Sequence, residues 1–142
     1  MIALASDHGG YVLKEAVKSK FEKEGIEFQD FGCYGTESCD YPDFAKTAAQ
    51  AVAAGVCEKG IVICTTGIGV SICANKVTGI RCALCSDTLT AKLTRQHNDA
   101  NVLALGAGMI GEVLAMEIID VFLKTPFSYE DRHKRRISKI EL

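Results

Sequence analysis

The stretch from Ile61 to Ser71 holds the most reactive side chain of this sequence, a thiol at the end of an apolar run. Its order, Ile-Val-Ile-Cys-Thr-Thr-Gly-Ile-Gly-Val-Ser, predicts a strand, a loop and the start of a helix. Glycines at 67 and 69 let the backbone approach a ligand closely, and the N–H groups of a helix start attract an anion. A thiol at a helix N-terminus has a lowered pKa, so Cys64 is a candidate base.

Plainer interpretations of the same stretch stay open. A glycine-rich turn can simply pack a helix on a strand, and a cysteine at the end of a buried strand is ordinarily a small hydrophobic residue. The loop lacks the lysine and the spacing of a P-loop, and it is too short for the dinucleotide fingerprint. A nucleotide is therefore not the expected ligand, and the position of Cys64 before the helix is what favours a chemical role.

Three histidines could carry protons, since imidazole titrates near neutral pH. His8 follows the first predicted strand, His97 stands at a helix end beside Asn98, and His133 lies among basic residues. Each of them could also be an ordinary surface residue. We expect them in loops at the ligand-binding edge that also holds Cys64.

A basic segment near the C-terminus offers a phosphate site. Arg132 and Arg136 are four residues apart, so on a helix they project from one face and could hold one phosphate. The alternative is a solvated basic tail.

Asp7, ahead of His8-Gly-Gly, could be a helix cap or a turn residue.

Short apolar runs alternate with helical patterns along the whole chain. Strands are predicted at about 1–5, 26–31, 60–64, 80–85 and 102–105, and helices at about 11–24, 43–54, 70–76, 87–96, 111–124 and 129–142. On the first helix, Leu13, Val17 and Phe21 form the apolar stripe, while charged residues such as Lys14 are expected mostly outward. This rhythm predicts an α/β fold, a doubly wound, Rossmann-like five-stranded parallel sheet with helices on both faces.

Ligands of such sheets lie beyond the carboxyl ends of the strands, so we expect the loops after strands one, three and four to matter most. The 142 residues predict one domain, with a core of about 1–125 and a C-terminal arm of about 126–142 that reaches a partner subunit.

Composition narrows the function classes. A formal net charge of −2 and a pI near 5.9 give no electrostatic footprint for nucleic acid, and no apolar run approaches the roughly 20 residues of a membrane span. The seven cysteines are expected to be reduced, and Cys82 and Cys85 to face opposite sides of a strand rather than form a redox pair. We therefore expect a cytoplasmic protein that binds neither nucleic acid nor membrane.

Six ordered motifs resemble the family of ribose-5-phosphate isomerase B and galactose-6-phosphate isomerase over essentially the full length. They are Ala5-Ser-Asp-His-Gly-Gly10, Asp40-Tyr-Pro-Asp43, Ile63-Cys-Thr-Thr-Gly-Ile-Gly69 with Ser71 and Ala74-Asn-Lys76, Arg95-Gln-His-Asn98, Asn101-Val-Leu-Ala-Leu-Gly106 and Arg132-His-x-x-Arg136. The resemblance implies a homodimer, or a tetramer built from such dimers. It also implies an aldose–ketose isomerase that uses no metal and no cofactor.

The resemblance further implies roles for particular residues. Cys64 matches the base that moves a proton between C2 and C1, His97 the acid that opens the sugar ring, and Thr66 a hydroxyl that assists there. The other matched positions would bind the sugar phosphate: Asp7, His8, Thr65, Gly67, Ile68, Gly69, Asn98, Arg132 and Arg136. Each site would combine residues from both subunits, with backbone amides of residues 65–69 holding the enediolate oxygen.

Two positions depart from the family pattern. Gly108 stands where some relatives carry a phosphate-binding arginine, and Thr65 where glycine is common. The expected reaction interconverts ribose 5-phosphate and ribulose 5-phosphate. The alternatives are an isomerase of six-carbon phosphates of allose or galactose, a noncatalytic sugar-phosphate-binding subunit and, more weakly, a thiol hydrolase.

Overall fold

The computed structural model describes residues 1–142 and contains one parallel sheet with helices on both faces. The strands are β1 (Ile2–Ser6), β2 (Phe28–Asp30), β3 (Lys59–Cys64), β4 (Cys82–Leu84) and β5 (Val102–Gly106). The helices are α1 (Tyr11–Glu24), α2 (Tyr41–Ala53), α3 (Ile68–Asn75), α4 (Thr88–Asn98), α5 (Glu112–Lys124) and α6 (Asp131–Ile140). The predicted fold class is confirmed.

The sheet separates two apolar cores. Successive residues of a strand point to opposite faces, so Ile61 and Ile63 pack beneath α1, α4 and α5, while Val62 packs beneath α2 and α3. The same alternation places Cys85 in the first core and Cys82 against the second, as predicted. Because β1 and β5 are buried along their whole length, their sequences are almost continuous runs of apolar residues.

The strand order is β2-β1-β3-β5-β4, so the last strand in sequence lies next to β3 and β4 forms an edge. The prediction that the loop after the fourth strand adjoins the site is therefore wrong in detail. Its place beside the β3 loop is taken by the loop after β5, where Ala107 N–H donates to the Cys64 carbonyl at 2.8 Å and Gly108 N–H to that of Thr65 at 2.8 Å.

Lys14 is a second departure from expectation. The helical pattern predicts it outward, yet its side chain is completely buried between α1 and the end of β2. Burial is possible because the ammonium group donates to an Asp30 carboxylate oxygen at 2.6 Å and to the Cys33 carbonyl at 2.5 Å.

The chain ends with α6, which packs on α4 of the same chain. None of the helices combines the length and the apolar character required to cross a bilayer.

Candidate active site

The carboxyl ends of β1 and β3 bring the first group of predicted site residues together. Strand register pairs Ser6 with Ile63, and Asp7 N–H donates to the Ile63 carbonyl at 3.2 Å, so Asp7 stands beside Cys64 across the two strands. We call this group the carboxyl-edge cluster: Asp7, His8, Cys64, Thr65, Thr66, Gly67, Ile68 and Gly69. Its position is that expected of ligand sites in open parallel sheets.

Cys64 is held by the turn that begins α3. Its Sγ accepts the Gly67 N–H at 3.1 Å, and Gly67 can point this amide inward because it adopts a φ of 78°. The Cys64 residue is only 5 % exposed, whereas Thr65 and Thr66 beside it are exposed. Cys64 thus lies just beneath the loop surface, with the Gly67 amide directed at its sulfur.

Thr65 lies between two glycines from neighbouring loops. A β-carbon at Gly108 would come within 2.9 Å of the Thr65 methyl group, and one at Gly9 would collide with the Thr65 hydroxyl. Thr65 and Gly108, the two positions at which the resemblance predicts a departure, are therefore in contact. A side chain at residue 108 would therefore require the Thr65 side chain to shift.

The remaining loop residues are fixed by local hydrogen bonds. Asp7 Oδ1 accepts the N–H groups of Gly9 at 2.9 Å and Gly10 at 3.1 Å, which agrees with the interpretation of Asp7 as a turn residue and leaves its second oxygen without a partner in the chain. Thr66 Oγ1 accepts the Ile68 N–H at 3.2 Å. Ile68 is half exposed, and the Tyr41 ring packs directly on Gly69.

His8 is oriented from outside the cluster. Its Nδ1 accepts the Cys39 backbone N–H at 3.2 Å, and the Cys39 Sγ lies 3.8 Å from the same nitrogen. The other ring nitrogen, Nε2, has no partner in the chain.

A second group of predicted residues lies at the opposite edge of the sheet. We call it the amino-edge cluster: His97, Asn98, Arg132, His133 and Arg136. Helix α4 starts at the carboxyl edge and returns antiparallel to the strands, so His97, near its end, lies about 14 Å along the helix toward the amino ends of the strands. The expectation that all three histidines share the edge of Cys64 is therefore wrong within one chain.

The two histidines of the amino-edge cluster stack on each other. The rings of His97 and His133 lie 4.4 Å apart at 17°, and His133 Nε2 is 3.1 Å from a Glu130 carboxylate oxygen. Burial lowers the pKa of His133, and the neighbouring His97, Arg132 and Arg136 act in the same direction against the pull of Glu130. Stacking fixes the plane of the His97 ring.

The cations of α6 remain accessible. Arg132 is 60 % exposed and contacts Glu130 at 2.9 Å, and Arg136 is exposed without an ion-pair partner.

Asn98 lines a cleft of about 580 Å³ together with Arg81 and residues 140–142. This cleft lies among the amino ends of the strands, far from Cys64. No group of three or more His, Cys, Asp or Glu side chains is arranged to hold a metal ion.

The chain is similar to known proteins over nearly its whole length. The family described as ribose/galactose isomerase matches residues 2–140. The chain belongs to this family. Ribose-5-phosphate isomerase B of Escherichia coli is 43 % identical over 139 residues, which are 98 % of this chain and 93 % of that protein.

Solved structures of the family superpose closely. Ribose-5-phosphate isomerase B of Clostridium thermocellum has a TM-score of 0.96 and 51 % identity, with 99 % of this chain and 94 % of that chain covered. The enzyme of Mycoplasma genitalium with bound ribulose-5-phosphate has a TM-score of 0.93 and 41 % identity, with 99 % and 93 % covered.

Sequence reasoning missed several residues beside the carboxyl-edge cluster. Gly9, Ala107 and Cys39 all touch this cluster, yet none was predicted as a site residue, and Gly108 was considered only as the place of a missing arginine. The Leu105-Gly-Ala-Gly108 run carried a usable signal, because small residues after a buried strand allow close backbone approach. Cys39 carried none, since its contribution is a backbone amide.

Proposed function

We propose that this protein is an aldose–ketose isomerase that interconverts ribose 5-phosphate and ribulose 5-phosphate. One observation carries the proposal: Cys64 Sγ lies 3.1 Å from the Gly67 amide at the start of α3, in a chain of the ribose/galactose isomerase family. A thiol is a possible proton carrier, and this one lies beside the backbone donor that begins α3. The relatives named ribose-5-phosphate isomerase B support the five-carbon substrate.

The chemistry requires one base and a site for a developing oxyanion. Cys64 removes the proton from C2 of the open-chain aldose, an enediolate forms, and the proton returns at C1. Amides of residues 65–69 stabilise the enediolate oxygen; the Gly67 and Ile68 amides, which contact Cys64 and Thr66 in the chain alone, exchange these contacts for the substrate. Thr66 assists ring opening, while Asp7 and His8 contact the sugar hydroxyl groups. No electron leaves the substrate in this reaction.

The phosphate and the ring oxygen require the amino-edge cluster, which one chain cannot bring to Cys64. We propose a homodimer, alone or paired into a tetramer, in which the partner supplies this cluster to each site. In it His97 acts as the ring-opening acid, Asn98 binds the sugar, and Arg132 and Arg136 hold the phosphate. The exposure of both arginines and the position of His97 at the far end of α4 from Cys64 support this arrangement.

The assay uses the purified chain alone, with ribose 5-phosphate in deuterated water. We expect ribulose 5-phosphate to form with deuterium incorporated at C1. Absence of both turnover and exchange would contradict the proposal and favour a noncatalytic subunit. Faster turnover of allose or galactose 6-phosphate would assign the six-carbon alternative.

Two further proposals concern the domain organisation of the chain and its location in the cell. We propose that residues 1–142 act as one isomerase domain whose arm, residues 126–142, serves the partner's site. Seven cysteines without a disulfide suit a reducing compartment, which supports a cytoplasmic location.

A further inference from the structure

Lys14 is a buried charge that the proposed reaction does not use. A lysine is rarely buried completely, because removing its charge from water is costly unless partners replace the water. Here the partners are Asp30 Oδ1 at 2.6 Å and the Cys33 carbonyl at 2.5 Å, and the Tyr34 ring lies 5.3 Å away. The ammonium group therefore joins α1, the end of β2 and the segment that follows β2.

Asp30 is the centre of this connection. Burial would raise the pKa of its carboxyl group, but hydrogen bonds from Lys14, the Gly32 amide and Lys18 outweigh it and lower the pKa. The carboxylate is thus charged and accepts the Gly32 N–H at 2.9 Å. Gly32 and Cys33 in turn exchange backbone hydrogen bonds of 2.7 Å with Ser6, the last residue of β1.

The anchored segment, residues 32–40, runs over the surface and returns to the candidate active site at Cys39. There the Cys39 N–H donates to His8 Nδ1 at 3.2 Å. A backbone amide can only donate, so this nitrogen of His8 must be without a proton. Burial raises the pKa of the Cys39 thiol, which keeps the S–H as a second donor toward the same nitrogen at 3.8 Å.

We propose that the Cys39 amide holds His8 as the neutral tautomer with its proton on Nε2, and that Lys14 is the positioning residue that fixes the 32–40 segment for this purpose. His8 then presents a donor of fixed direction to an oxygen of the bound sugar phosphate. This use of the donor rests on the proposed function, whereas the tautomer and the role of Lys14 do not.

The tautomer is measured by NMR of protein labelled with ¹⁵N-histidine at neutral pH, with His8→Gln used to assign the His8 signals. We expect Nδ1 without a proton and Nε2 with one. A proton on Nδ1 would overturn the proposal, whether or not the protein isomerises sugars.

The role of Lys14 is tested with Lys14→Met and its matched control Lys18→Met. Lys18 also contacts Asp30, at 3.0 Å, but it does not touch the Cys33 carbonyl and its side chain is 23 % exposed. In Lys14→Met we expect His8 to sample both tautomers, while Lys18→Met keeps one. A folded Lys14→Met with unchanged His8 signals would remove Lys14 from the proposal. If Lys14→Met does not fold, Asp30→Asn is used in its place, and unchanged His8 signals in that variant would likewise remove Lys14 from the proposal.

A kinetic comparison tests the use of the donor. Glutamine places an amide N–H near the position of Nε2, and asparagine does not reach it. We expect kcat/KM of His8→Asn to fall about tenfold below that of His8→Gln, mainly through KM, as for one lost hydrogen bond. Equal values would overturn the donor role, and a protein without any turnover would contradict the proposed function alone.

Discussion

The two clusters at opposite edges of the sheet are built differently. The carboxyl-edge cluster consists mainly of a tight loop, with the Gly67 amide directed at the sulfur of the nearly buried Cys64 and glycines that let three loops touch. The amino-edge cluster consists of long, exposed side chains on helix ends, apart from the stacked histidine pair. Proton transfer needs positions held within fractions of an ångström, which backbone provides, whereas a phosphate can be gripped by flexible cations across an interface.

The largest effect should come from the sulfur. We expect Cys64→Ala to lower kcat at least about 10³-fold, because a positioned base contributes up to about 10⁴-fold. Cys57→Ala is the matched control, since Cys57 is equally buried but lies outside both clusters. Both variants should keep the circular dichroism of the native fold, and substantial turnover by Cys64→Ala would show that another group is the base.

The cations of the amino-edge cluster should affect binding more than chemistry. Arg136→Ala should raise KM about tenfold or more with little change in kcat, since a charge-assisted hydrogen bond is worth about 1.5–3 kcal/mol. Arg135→Ala, one position along α6 and equally exposed, should leave KM unchanged. Equal effects of the two variants would indicate a general attraction by the basic helix in place of a phosphate site.

A smaller effect is expected at the turn before α3. Gly67→Ala places a β-carbon 2.9 Å from the Leu105 carbonyl carbon and displaces the amide that contacts Cys64, so kcat should fall several-fold. Gly25→Ala shares the positive φ, at 69°, but meets open space, so it should lower only the free energy of unfolding, by about 1–2 kcal/mol. Steady-state kinetics and urea unfolding separate the two.

The smallest effect concerns the histidine stack. Because the pKa of His133 is lowered in the folded protein, the unfolded chain binds more protons at mildly acidic pH, and stability should fall as pH drops from about 7 through the usual histidine range. The melting temperature of His133→Asn should depend less on pH in this range. Parallel pH profiles for the two proteins would show that other groups cause the loss.

Sequence patterns predicted the local structure of the chain better than the positions of strands and site residues relative to one another. Apolar runs such as Ile61–Cys64 and the alternation of residues 26–31 revealed the five strands, and the glycine turn revealed the start of α3. Strand neighbours are not encoded in such patterns, which is why β5 unexpectedly lies next to β3. Helical periodicity placed Lys14 outward because a pattern cannot show that Asp30 and a carbonyl compensate its charge. The separation of His97 from Cys64 follows from helix direction, and it became clear only with the topology in place.

Complementation between two inactive variants tests the central claim, that each site combines the carboxyl-edge cluster of one chain with the amino-edge cluster of another. Cys64→Ala and His97→Asn should each be strongly impaired as pure proteins. In random mixed dimers one site per heterodimer has both native residues, so co-refolding equal amounts should restore about a quarter of native activity. Activity no higher than that of the separate variants, with heterodimers present by mass spectrometry, would contradict the shared site.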